Sequence, residues 1–192
     1  MVKVGVLALQ GDYAAHAQAL VAAGAEPVEA RRLGDLEGLD ALVIPGGEST
    51  VMGLLLQRFG LLEPLKDKLR AGMPVFGTCA GLILLAKEIE GRDQPRLGIL
   101  DVAVRRNAYG TQIDSFRTRL GTSVPGVPEI EGIFIRAPRI IRAGPGVETL
   151  AFHGGFPVLV RQGLVFGASF HPELVPGAPI HRWFLETIHS ER

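Results

Sequence analysis

Pro74-Val75-Phe76-Gly77-Thr78-Cys79-Ala80-Gly81-Leu82-Ile83-Leu84-Leu85-Ala86 is the stretch around which the chain is organised. A short apolar run meets a tight turn bracketed by Gly77 and Gly81, and an apolar helical segment follows at once. A strand that turns this sharply into a helix forms an elbow that presents its middle residue at the strand's carboxyl end. The only cysteine of the chain occupies that place. The helix points its positive end at the sulfur, which favours thiolate over thiol, and small neighbours let a substrate approach. A free cysteine is otherwise most often a buried structural residue. The glycine punctuation favours a nucleophile over that reading.

Outward from the elbow, the first half alternates strands and helices. Val2–Leu9 is nearly continuous aliphatic sequence, as in a strand buried on both faces of a parallel sheet. Gln10-Gly11 makes a turn, and Asp12 is placed to cap an Ala-rich helix ending at Gly24. Pro27–Ala30 is a weak second strand and Asp40–Ile44 a strong third, leaving through Pro45-Gly46-Gly47-Glu48-Ser49-Thr50. Helices are expected over about Val51–Phe59 and Glu63–Ala71, closed by Gly72. In a doubly wound α/β sheet, ligands bind at the carboxyl ends of the strands. The glycine-marked turns at 45–50 and 77–81 both fall there and are expected to share one cleft.

After about Gly91 short β-type runs replace the helices: Leu97–Val104, Ser115–Leu120, Ile133–Ile135, Thr149–His153, Pro157–Arg161 and Leu164–Phe170. A last helix over about Ala178–Ser190 carries Trp183, Phe184 and Ile188 on one face. The expected fold is α/β: three layers, a doubly wound and mainly parallel sheet with an antiparallel-rich second half, all in one domain over 1–192. The 192 residues, 47% of them hydrophobic, suffice for a sizeable core. Twenty basic and twenty acidic residues cancel, which argues against nucleic acid or an anionic membrane as partner. One cysteine allows no internal disulfide and suits a reducing cytoplasm. The opening run reads as a strand, neither signal peptide nor membrane span. No Cys pair or His-x-x-x-His suggests a metal, and no Gly-x-Gly-x-x-Gly suggests a phosphate loop.

A cysteine nucleophile needs a base, and the base needs an orienting group. Among five histidines, His16, His181 and His189 lie in helices and read as solvated or satisfied surface residues, and His153 as a turn residue. His171 follows the strand 164–170, and Glu173 stands two residues on, on the same side of an extended stretch that Pro172 helps to hold. An incidental His-Pro-Glu turn is the plainer alternative for that triplet on its own.

Gly77-Thr78-Cys79-Ala80-Gly81 with a late His171-Pro172-Glu173 resembles the class I, or triad, glutamine amidotransferases. Leu9-Gln10-Gly11-Asp12, Pro45–Thr50, Arg106-Asn107-Ala108-Tyr109-Gly110 and Phe134-Ile135-Arg136-Ala137-Pro138 narrow the resemblance to the glutaminase subunits of pyridoxal 5'-phosphate synthases. Thr111-Gln112 stands where that pattern has Arg-Gln, so the arginine's role is absent or moved to Arg105. The resemblance implies hydrolysis of L-glutamine to glutamate and ammonia by Cys79, His171 and Glu173, with no cofactor bound to this chain. It implies glutamine binding by Gly47, Glu48, Ser49, Arg106, Ile135 and Arg136, and a barrel-type synthase subunit as the acceptor of ammonia.

On physical grounds the Ala80 N–H and a Gly46 or Gly47 N–H are candidate oxyanion donors. The two glycines also fit a plain strand-exit turn whose central peptide can flip at little steric cost. An arginine fork suits a carboxylate, but Glu48 equally fits a first helical turn and Arg136 a surface charge. Three further readings compete: a cysteine peptidase or chaperone-like hydrolase on a similar fold, a non-catalytic binding module, and a glutaminase of the same chemistry that supplies a different acceptor synthase. The first leaves 46–50 and 106–110 unexplained, and the second leaves an intact Cys79, His171 and Glu173 unexplained.

Overall fold

Continuous aliphatic runs become strands buried on both faces. In β1 (Lys3–Leu7), Val4 and Val6 point to one side of the sheet and Leu7 to the other. After α1 (Tyr13–Ala22) and β2 (Glu26–Ala30), the same division recurs in β3 (Ala41–Ile44). Its Leu42 and Ile44 join one core cluster, its Ala41 and Val43 the other. Two helices follow, α2 (Ser49–Arg58) and α3 (Leu62–Arg70), then the elbow strand β4 (Val75–Thr78) and α4 (Ala80–Leu85). This computed structural model describes residues 1–106 and 115–191.

The second half is built from strands: β5 (Ala86–Ile89), β6 (Leu100–Arg105), β7 (Ser115–Val124), β8 (Val127–Ile135), β9 (Arg139–Ala143), β10 (Glu148–His153), β11 (Phe156–Gln162) and β12 (Val165–Ala168), closed by α5 (Pro179–Ser190). Nine of the strands form one sheet in the order β2-β1-β3-β4-β12-β11-β10-β7-β8. The first five run parallel and the last four join antiparallel. Helices α1 and α5 cover one face through Leu20, Ile180, Trp183 and Phe184. The opposite face is covered by α2, α3 and α4 with a second sheet, β5-β6-β9. This is the expected three-layer α/β arrangement with an antiparallel-rich second half.

Several local expectations need correction. Asp12 stands at the start of α1, but its side chain makes no capping bond; its backbone N–H donates to the Gly46 carbonyl at 3.1 Å instead. The apolar run after the elbow is helical only to Leu85, and Ala86 opens a strand that the run conceals. His16 and His181 are fully buried, not solvated. Gly81 opens no path for a substrate: a Cβ there would collide with the Ile44 carbonyl, so the glycine lets α4 seat against the end of β3.

β1 and β3 are paired neighbours whose following connections lead to opposite sides, to β2 and to β4, and doubly wound sheets bind ligands in the crevice at such a switch point. Two loops bridge it: Asp12 N–H to Gly46 O at 3.1 Å, and Glu48 N–H to the Gln10 side-chain oxygen at 2.8 Å.

Candidate active site

Parallel pairing of β4 with β12 brings the candidate residues together. Thr78 lies opposite Ala168 in the register, so both strands end at one level. Cys79 is one residue past that level and His171 three. The Cys79 N–H extends the ladder to the Ala168 carbonyl at 2.9 Å. The chain then turns sharply: Cys79 has φ 49° and ψ −105°, a strained conformation for a residue with a Cβ. The elbow expected from the two glycines is present, and the strain sits on the residue it displays.

His171 and Glu173 are buried beside it. The His171 Nδ1–H donates to Glu173 Oε1 at 2.6 Å. The pairing is as expected, but its cause differs: Pro172–Leu174 is a 3₁₀ turn, not extended chain, and the turn swings the carboxylate back to the ring. The His171 backbone N–H donates to the Ile133 carbonyl at 2.8 Å, which ties this residue to the last residues of β8 towards Ile135. In sheet order β8 is the far edge strand, four places from β12. The antiparallel half therefore coils back over the parallel half, helped by irregularities in β10 on both sides of Ala151.

The other ring nitrogen, His171 Nε2, is buried and makes no hydrogen bond among the described residues. Burial pushes the ring's pKa down. The nearness of the Cys79 sulfur, the hydrogen bond to Glu173 and the charges of both outweigh this and raise it to about 10. The nearest acceptor for the Cys79 thiol is the Ile135 carbonyl, at the loose sulfur distance of 3.9 Å. The thiol and the His171 ring are thus neighbours without a hydrogen bond between them. Gly46 completes the wall: a Cβ there would come within 2.7 Å of His171 Cε1 and 3.5 Å of Cys79 Cβ.

Beyond this centre, Glu48 caps α2, its carboxylate accepting from the Thr50 and Val51 N–H groups at 3.3 and 2.8 Å. Arg106 closes on the same turn, donating to Glu48 Oε1 at 2.6 Å, Thr50 Oγ1 at 2.8 Å and Gln94 Oε1 at 3.1 Å. Partial burial pushes the Glu48 carboxyl up, but the two N–H bonds and Arg106 outweigh it and hold it below the usual range. Glu48 and Arg106 are therefore partners of each other. Ser49 Oγ is buried with no hydrogen bond among the described residues, an unused polar atom on that turn.

Ile135 reaches the centre through its carbonyl, whereas Arg136 is exposed with φ 43°. Asn107–Gly110 and Thr111-Gln112 lie outside the described residues. Arg105 pairs with Glu90, Nη2 to Oε1 at 2.9 Å. Sequence reasoning missed Gln94, which lies in irregular chain with no motif to mark it, and Thr78, His16 and His181, which pack behind Glu173. Among the described residues, no group of three or more His, Cys, Asp or Glu side chains could hold a metal ion.

The model of the SNO glutamine amidotransferase family matches residues 6–190. The chain belongs to this family. The amidotransferase is 55% identical over 184 residues to the pyridoxal 5'-phosphate synthase subunit PdxT of Pelotomaculum thermopropionicum, covering 96% of this chain and 94% of that one. It is 54% identical over 185 residues to the subunit of the same name from Thermus thermophilus, covering 95% and 96%. A crystal structure titled as a glutamine amidotransferase superposes with a TM-score of 0.92 at 50% identity, covering 97% of the amidotransferase and 98% of the solved chain.

Proposed function

We propose that residues 1–192 act as one glutamine amidotransferase-like domain, the glutaminase subunit of a pyridoxal 5'-phosphate synthase. It hydrolyses L-glutamine to L-glutamate and ammonia, and passes the ammonia to a barrel-type synthase subunit for vitamin B6 synthesis. The observation that carries the chemistry is the strained Cys79 beside a buried His171–Glu173 pair with a 2.6 Å hydrogen bond.

In this reading Cys79 sulfur attacks the side-chain amide carbon of glutamine while His171 holds the proton. The negative charge on the former carbonyl oxygen is met by the Ala80 N–H, left free at the start of α4, and by an N–H of the Gly46-Gly47 segment. The Gly46 carbonyl bonds to Asp12 N–H, so the Gly47 N–H, across the same trans peptide, points the opposite way. His171 gives its proton to the departing nitrogen and ammonia leaves. Water, deprotonated by His171, then cleaves the thioester to release glutamate and the free thiol. Gly47, Glu48, Ser49, Arg106, Ile135 and Arg136 form the glutamine subsite. The Arg106–Glu48 pair there offers one charge of each sign to a zwitterionic amino acid. A single cysteine that must stay reduced to react suits the cytoplasm. No helix among the described residues is long and apolar enough to cross a membrane.

Steady-state glutaminase kinetics on the purified chain, with and without the synthase subunit, test the reading. The synthase is expected to raise kcat more than it lowers KM, by roughly 10²–10³ if docking is needed to hold the Gly46-Gly47 peptide in that orientation. Cys79→Ala should abolish turnover with the fold intact. Residual activity above a few per cent in that variant removes the nucleophile, and full activity unchanged by synthase removes the dependence on docking.

A further inference from the structure

Behind Glu173 lies a buried chain of polar groups that the glutaminase chemistry above does not use. Glu173 Oε1 takes the His171 proton, but Glu173 Oε2 is buried with no hydrogen bond of normal length among the described residues. The group facing it is His16 Nε2, 3.5 Å away, which also lies 2.9 Å from Thr78 Oγ1. The other nitrogen of the same ring, His16 Nδ1, is 2.9 Å from His181 Nε2. His181 Nδ1 has no partner among the described residues. His16 comes from α1, Thr78 from the residue before Cys79, and His181 from α5.

The unpartnered atom settles the direction of the protons. A buried N–H without an acceptor is costlier than a bare ring nitrogen, so His181 carries its proton on Nε2 and donates to His16 Nδ1. Burial drives His16 well below its ordinary pKa, and the charges of His181 and His171 act the same way; burial pushes His181 down to about 4. Both rings are neutral at working pH. With Nδ1 accepting, the one N–H of His16 must be on Nε2, donating to Thr78 Oγ1 at 2.9 Å with its positive end 3.5 Å from Glu173 Oε2. The opposite tautomer would set a nitrogen lone pair against a carboxylate oxygen and strand a proton on His181 Nδ1.

We propose that His16, its tautomer fixed by His181, is a positioning residue of the triad: its Nε2–H faces the second oxygen of Glu173 and holds the carboxylate in the rotation that grips His171. The inference rests on the triad reading. It also gives α1 two roles one helical turn apart: the Asp12 N–H holds the Gly46 loop on one side of the crevice, and His16 holds the base's carboxylate on the other.

His16→Leu, His16→Gln and His16→Asn separate positioning from packing. A glutamine amide reaches the place of Nε2–H; an asparagine amide reaches only that of Nδ1. Kinetics of the full chain are read under whichever condition, with or without synthase, gives the faster wild-type rate. His16→Leu and His16→Asn should lower kcat about tenfold, with KM for glutamine within about twofold. His16→Gln should recover to within about threefold of wild type. Proton NMR should show the His171 Nδ1–H resonance far downfield in wild type and His16→Gln, and broadened or lost in His16→Asn. If His16→Leu fails to fold, the Gln and Asn variants decide. A folded variant set in which His16→Gln is as slow as His16→Asn, or in which the loss lies wholly in KM, or in which kcat barely moves, overturns the proposal. If Cys79→Ala keeps its turnover, it is the triad reading that has failed, whatever His16 does.

Discussion

On its cleft side Glu173 meets His171, and on its helix side it faces His16, which His181 backs. One residue type is driven in opposite directions across a single carboxylate. Burial lowers the pKa of all three rings. Only His171 also has the Cys79 sulfur and a 2.6 Å bond to Glu173, and only it rises, to about 10. His16 lies 3.5 Å from the same carboxylate, yet the charge on His171 is one of the forces holding it neutral. One carboxylate supports one imidazolium, and the shorter hydrogen bond decides which ring carries it.

The largest effect is expected from removing the cleft-side ring. His171→Ala should cost nearly as much glutaminase activity as Cys79→Ala, on the order of 10³-fold or more in kcat/KM. An inactive His153→Ala beside an active His171→Ala would move the base elsewhere. Next comes the shared carboxylate. Glu173→Ala should leave about 10–100 times more activity than His171→Ala, because an orienting group acts only through the base. In Glu173→Gln, one hydrogen-bonded charge is lost, so the His171 pKa should fall from about 10 towards the ordinary 6.5, read by NMR titration of the ring. A titration unmoved from about 10 would assign the shift to sulfur alone.

The helix side shows itself in stability. The His181 pKa is lowered to about 4 from 6.5, so between those values the unfolded chain binds more protons than the folded one. Stability from this group is complete above about pH 6.5 and is lost as pH falls towards 4. Urea midpoints of wild type and His181→Leu should therefore converge in shape above pH 6.5. Below it the variant should lose less, by up to about 3 kcal/mol. Parallel curves down to pH 4 would mean that His181 is not neutral in the fold.

The asymmetry between these sides also explains what could be read in the sequence. The parallel strands were legible because burial on both faces leaves continuous aliphatic runs such as Val4–Leu7 and Ala41–Ile44. The elbow was legible because two glycines mark it, and His171-Pro172-Glu173 because its partners are two residues apart. His16 and His181 are separated by 165 positions, and each sits on a helix where an isolated histidine reads as surface. Only the fold brings them together. Strand β5 was hidden because Leu82–Leu85 runs into Ala86 without punctuation, and β9 because Arg139 and Arg142 dilute its apolar residues. Gln94 joins the Arg106 turn from a segment with no periodicity at all.

Strand β12 slots between β4 and β11, and that placement sets a timetable. During synthesis the elbow sequence leaves the ribosome 92 positions ahead of His171. At 5–20 residues per second that is an interval of roughly 5–20 s. Through it the nascent chain carries its cysteine without base or carboxylate, because neither exists until the last strand of the parallel sheet has been inserted. Contacts between such distant positions form late, so on the proposed reading the thiol is armed only at the end of folding. On that reading a truncated or stalled chain should be chemically quiet, spending no glutamine on ammonia that has nowhere to go.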